Sequence, residues 1–112
     1  MRTKYFEEIN DGKMNIDFLL KLDEARELAG IPFKINSAYR SPEHPESIKN
    51  PTSSHIKGLA VDISAKDSIK RFKILKALLS VGFTRIGLAN TFIHVDLDQD
   101  KSQNVIWTYK NT

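Results

Sequence analysis

From Asn15 onward the apolar side chains recur at helical spacing. Phe18, Leu22, Ala25 and Ala29 fall at i, i+4, i+7 and i+11, and Leu19 and Leu28 widen the stripe. Asn15 is placed to cap the start, while Gly30 followed by Pro32 ends the pattern, so a helix is predicted over 15–29. Residues 33–37 then read as a short strand. Residues 59–64 read as a second, with Leu59, Val61 and Ile63 alternating against Ala60, Asp62 and Ser64. A second helix is predicted over 68–81, capped by Asp67 and closed by Gly82. Its inward stripe is expected to be Phe72, Leu75 and Leu79, flanked by Ile69, Ile74 and Leu78. Lys66, Lys70 and Lys73 lie on another face, as in a solvated helix surface. Residues 84–88, 92–97 and 105–109 complete the pattern as strands with tight connections. Two helices among these strands predict a single α+β domain, residues 1–112, with a mainly antiparallel sheet and two packed helices.

One stretch breaks the texture. Residues 41–54 hold Pro42, Pro45 and Pro51, three of the four prolines, with no periodicity, and a loop this long in so short a domain is usually functional. At 112 residues the chain has room for one core. No apolar run approaches the roughly 20 residues of a membrane-spanning helix. The N-terminal stretch from Met1 to Glu8 has no apolar centre, so no secretory signal peptide is expected.

The absence of cysteine excludes disulfides, thiolate metal sites and cysteine nucleophiles. Any metal must then be held by carboxylates and by His44, His55 or His94, the three histidines. Seventeen basic against fourteen acidic residues leave a net charge of +3, too small an excess to indicate nucleic acid.

Chemistry concentrates in Ser53-Ser54-His55-Ile56-Lys57-Gly58-Leu59-Ala60-Val61-Asp62, where a turn at Gly58 can bring His55 and Asp62 to one point. His94 lies far along the chain between apolar neighbours of a strand, and a partly buried histidine needs a hydrogen-bond partner or a metal. Two imidazoles and a carboxylate are a set that zinc accepts with a fourth position open for water. Spacing alone leaves both readings of these residues standing, structural and metal-binding.

Ser37-Ala38-Tyr39-Arg40-Ser41-Pro42-Glu43-His44, then S-x-H-x-x-G-x-A-x-D from Ser53 to Asp62, then Phe92-Ile93-His94-Val95-Asp96, together resemble the zinc D-alanyl-D-alanine carboxypeptidase family. That family includes D-Ala-D-Ala dipeptidases and phage L-alanyl-D-glutamate endopeptidases, and its metal site is similar to that of the hedgehog signalling domain. The resemblance implies a hedgehog/DD-peptidase-like fold with Zn2+ held by His55, Asp62 and His94. It also implies small residues at Gly58 and Ala60, so that backbone packs behind the metal, and Arg40 and Ser53 near the substrate. A guanidinium suits a substrate carboxylate because its planar fork donates two parallel hydrogen bonds. Ser53 has a plainer reading too, a hydroxyl that closes the loop on backbone.

One family feature is missing. Many members carry an acid or base three residues before the last zinc histidine, and here that residue is Thr91. Asp96 is the nearest substitute, since strand residues i and i+2 share a face about 6.6 Å apart. It is either the base that moves a proton or a partner that orients a ligand. Glu43 and Glu46 in the proline-rich loop are weaker candidates. His44 is not expected to join the metal. Residues 96–100 begin like a calcium loop but place Lys101 and Trp107 where glycine and glutamate are needed, so an acidic turn is expected instead.

The expected function is zinc-dependent hydrolysis of peptidoglycan stem peptides by a monomer acting on the cell wall, of phage, prophage or cellular origin. The alternatives are a zinc- and peptidoglycan-binding module without turnover, and a hedgehog-like interaction domain with structural zinc.

Overall fold

The periodicity around Phe18 becomes α1 (Ile16–Ala29) in the computed structural model, which describes residues 2–110. Met1 and residues 111–112 lie outside the described residues. The Asn15 side chain accepts the Phe18 N–H at 2.9 Å, and Gly30 ends the helix in the left-handed conformation. Phe18, Leu19, Leu22 and Ala25 are buried, as the stripe required, whereas Leu28 at its edge is exposed.

A short 3-10 turn (Glu7–Ile9) precedes α1, and β1 (Ile35–Ser37), α2 (Pro45–Lys49), β2 (Ala60–Ser64), α3 (Ser68–Ser80), β3 (Arg85–Leu88), β4 (Phe92–Asp96) and β5 (Val105–Thr108) follow it. The segment expected to be wholly irregular therefore contains a short helix. Pro45 supplies a helix-ready φ in its first turn, and His44 caps it by accepting the Glu46 N–H at 3.1 Å. That cap occupies His44 Nδ1.

The five strands form one sheet in the order β1-β2-β4-β3-β5. All pairs are antiparallel except β3 with β5. The α+β class with a mainly antiparallel sheet holds. The parallel pair arises because the chain after β4 crosses β3 and returns on its far side.

Strand alternation divides the molecule. Val61, Ile63, Ile86, Ile93 and Val95 join Phe18, Leu19, Leu22, Ile74, Leu78 and Phe83 in one buried core. Each such side chain contributes roughly 1.5–3 kcal/mol on burial. Asp62 and His94 alternate with these residues and so face away from the helices. Strand register places Asp62 opposite His94, His94 opposite Gly87, and Gly87 beside Trp107, one row across β2, β4, β3 and β5.

The inward face of α3 differs from expectation. Ile74, Ala77 and Leu78 are buried, whereas Ile69 and Phe72 are each 67% exposed and Leu79 is 45% exposed. The helix carries two apolar rows at helical spacing, and its packing against α1 decides which one is covered.

Candidate metal centre

The turn that carries His55 is specified by Gly58. Its φ is +70°, and a Cβ there would lie 2.1 Å from the Lys13 carbonyl oxygen and 3.1 Å from Met14 Cα. Only glycine tolerates that approach, and the contact is completed by the Asn15 N–H donating to the Gly58 carbonyl at 2.9 Å. The turn closes with the Gly58 N–H on the His55 carbonyl at 3.2 Å, and the chain then runs directly into β2 and Asp62.

His55, Asp62 and His94 converge. One ligand atom from each lies within 4.8 Å of the others. His55 Nδ1 donates to the Ala38 carbonyl at 2.8 Å, which leaves Nε2, 3.4 Å from Asp62 Oδ1, with its lone pair inward. His94 reverses the roles of its nitrogens. Its Nε2 meets Asp96 Oδ2 at 2.7 Å, so Nδ1 faces the same Asp62 oxygen at 3.0 Å.

Two imidazole nitrogens on one carboxylate oxygen, each ring tied at its other nitrogen to an acceptor, is a donor set that suits a cation. The electrostatics agree. Burial drives the Asp62 carboxyl up, but the two imidazoles beside it outweigh burial and hold the group at about 2. Burial opposes a charge on His94, yet Asp62 and Asp96 raise it above its ordinary value. The cluster draws positive charge to its centre.

Asp96 is 1% exposed, and both its oxygens are engaged. Oδ2 holds His94, while Oδ1 accepts from Arg85 Nε at 2.7 Å and from the Asp98 N–H at 3.1 Å. Burial opposes its ionisation, but His94, Asp98 and Arg85 together lower its carboxyl.

Asp98 is equally buried and pins the His55 turn from below. It accepts Ser54 Oγ at 2.7 Å and Lys57 Nζ at 3.0 Å, and Lys101 Nζ lies 3.6 Å away. The acidic turn expected at 96–100 is thus a charged tie between two loops. Burial works against the Asp98 charge, but Ser54 and Lys57 hold the carboxyl at about 2. Because that value is below the unfolded carboxyl near 3.9, the unfolded chain binds more protons between them. Asp98 therefore contributes on the order of 2 kcal/mol above about pH 4, lost as pH falls through about 2. Asp98→Asn is expected to make stability depend less steeply on pH in that window, read from urea midpoints at successive pH values. An unchanged slope would dissociate Asp98 from acid stability.

A cavity of about 440 Å³ opens over the cluster. Arg40 lines it, donating Nη2 to Ser37 Oγ at 3.1 Å. Ser53 lines it as well, and its Oγ accepts the His55 N–H at 3.3 Å, so its visible contact is the loop-closing one. Glu46 enters the wall from α2, whereas Thr91 sits exposed in the β3–β4 turn.

Trp107, Tyr109 and Arg85 also line the cavity, residues to which the sequence pattern assigns no role in the site. A Cβ on Gly87 would lie 2.7 Å from atoms of both aromatic rings, so this glycine makes room for them. Aromatic residues two apart on a strand paired with a glycine were the available signal. Burial pushes the Tyr109 hydroxyl up, leaving it a donor at neutral pH.

A family model described as Peptidase M15 matches residues 3–96, a span that takes in β4 and all three clustered residues. No curated protein and no solved structure matches the chain.

Proposed function

Because the chain belongs to the peptidase M15 family, we propose that it is a zinc metallopeptidase that hydrolyses peptidoglycan stem peptides, with His55, Asp62 and His94 as the metal ligands. The observation that carries this reading is the convergence of one free imidazole nitrogen from each histidine on a single Asp62 oxygen, with each ring's second nitrogen already bonded. When bound there, zinc would polarise the scissile carbonyl and bring its water towards a pKa of about 7.

The other residues divide the remaining tasks. Arg40 holds a carboxylate or carbonyl of the peptide at the cavity wall. The Trp107 and Tyr109 side chains form the apolar wall against which the peptide lies, and the Tyr109 hydroxyl is a donor for its carbonyl. Asp96 orients His94; with both oxygens bonded and the group buried behind the imidazole, it is badly placed to exchange protons with substrate. The proton that hydrolysis moves from water to the leaving amine falls to Glu46. Glu46 lines the cavity, and its exposed carboxylate lies 3.9 Å from Lys49 Nζ.

Glu46→Gln is expected to lower kcat by at least about 10²-fold while zinc content stays at one per chain. Undiminished turnover would exclude Glu46 as the proton carrier. The reading as a whole is tested by mass analysis of muropeptides incubated with the zinc-loaded protein. Loss of D-alanine, release of a dipeptide or separation of whole stem peptides supports it and identifies the bond. Intact muropeptides at full zinc occupancy would instead favour a zinc- and peptide-binding module, the reading that Thr91 in place of the usual acid supports. We place the site of action at the cell wall, by a protein of phage, prophage or cellular origin.

A further inference from the structure

We infer that Arg85 is a positioning residue for the metal site, acting through Asp96 to aim His94 Nδ1 at the ligand cluster. The inference rests on the zinc reading above. Arg85 starts β3, and its side chain is 11% exposed, lying beside the cavity rather than in solvent. It is held on three sides. Nε donates to Asp96 Oδ1 at 2.7 Å, Nη1 donates to the Ser102 carbonyl at 2.6 Å, and the guanidinium carbon stands 4.9 Å from the centre of the Trp107 ring.

A surface ion pair would have none of these constraints. Here the two further contacts set the direction from which Nε approaches Asp96. With Oδ1 occupied by Arg85 and by the Asp98 N–H, the carboxylate plane is set and Oδ2 is the oxygen left for His94. The bond from Oδ2 to Nε2 then fixes the rotation of the imidazole. A ring turned by 180° would present carbon where Nδ1 now faces Asp62. The nearby lysines do not duplicate this role, since Lys57 and Lys101 are held at Asp98.

Outer partners of metal-bound histidines typically change metal affinity by 10–100-fold when removed. An arginine acting through Asp96 should show the effect only while Asp96 can transmit it. The experiment is a double-mutant cycle on the full chain, comparing the unaltered protein, Arg85→Met, Asp96→Asn and the double variant. Zinc affinity is read by competition with a chromophoric chelator, and ligand geometry by the visible spectrum of the cobalt-loaded proteins.

Arg85→Met is expected to weaken zinc binding by about 10–100-fold and to shift the cobalt bands. The double variant should bind no more than about threefold worse than Asp96→Asn alone. Should Arg85→Met fail to fold, Arg85→Lys serves. It keeps a cation beside Asp96 but loses the planar fork, and it is expected to bind zinc less tightly than the unaltered protein. Unaltered affinity and cobalt spectrum in either folded variant, or effects that multiply in the double variant, would overturn the positioning role alone. Failure of the unaltered protein to take up zinc would overturn the metal reading as well.

Discussion

Asp62→Ala is expected to abolish both stoichiometric zinc and turnover. Its Oδ1 is the atom on which both histidines converge, at 3.4 Å from His55 Nε2 and 3.0 Å from His94 Nδ1. Without it the cluster keeps two neutral donors and no charge to offset a dication in a buried setting. Metal analysis after dialysis reads the first effect, and hydrolysis of stem peptides reads the second.

A thermal readout gives an independent check. Free zinc at 1,000 times its Kd stabilises a folded protein by about 4.1 kcal/mol. For a domain of this size that corresponds to a rise in Tm on the order of 15 °C. The unaltered protein should show this rise, as should Arg40→Ala, which leaves the ligands in place. Asp62→Ala should show none. His55→Ala and His94→Ala should behave likewise, and full zinc occupancy in any one of the three would remove that residue from the ligand set.

The largest expected loss of stability comes from one methyl group. Gly58→Ala must place a side chain at φ +70°, with its Cβ 2.1 Å from the Lys13 carbonyl oxygen. The left-handed conformation costs roughly 1–2 kcal/mol, and forcing an atom into packed surroundings adds roughly 1–3. The neighbour is backbone, so it cannot swing aside as a flexible side chain would. A total of roughly 2–5 kcal/mol is a large share of the 5–15 kcal/mol that small domains possess. Displacement of Lys13 would also break the bond from the Asn15 N–H to the Gly58 carbonyl and disturb the start of α1. Urea denaturation followed by circular dichroism measures this, and a loss below about 1 kcal/mol would show that residues 13–14 yield without strain. Because His55 lies three residues away on the same turn, zinc affinity should fall together with stability.

Much of this molecule could be read from local pattern. The stripe of α1, its Asn15 cap and its Gly30 end depend on neighbours within a few residues, and they take the expected form apart from exposed Leu28. His55 and Asp62 stand in one motif of ten residues, with Gly58 between them to turn the chain. His94 stood out because a histidine among strand apolar residues needs a partner. Asp62 and His94 meet through the register of β2 with β4, whereas His55 also needs its turn packed on residues 13–15 and its bond to the Ala38 carbonyl.

Other features depended on contacts between distant segments. Periodicity showed that α3 has apolar rows, but which row is buried depends on what α1 offers, and Phe72 was left outside. The parallel course of β5 beside β3 has no local signature, since the hydrophobic alternation of a strand is the same in either direction. Arg85, Asp98 and Trp107 take part in the site through contacts with residues 11, 44 and 22 positions away. A charged side chain in a sequence looks solvated by default. Only folding shows which ones the closing of the sheet encloses, and there each buried charge must meet an opposite one. That requirement is what joins Asp96 to both Arg85 and His94.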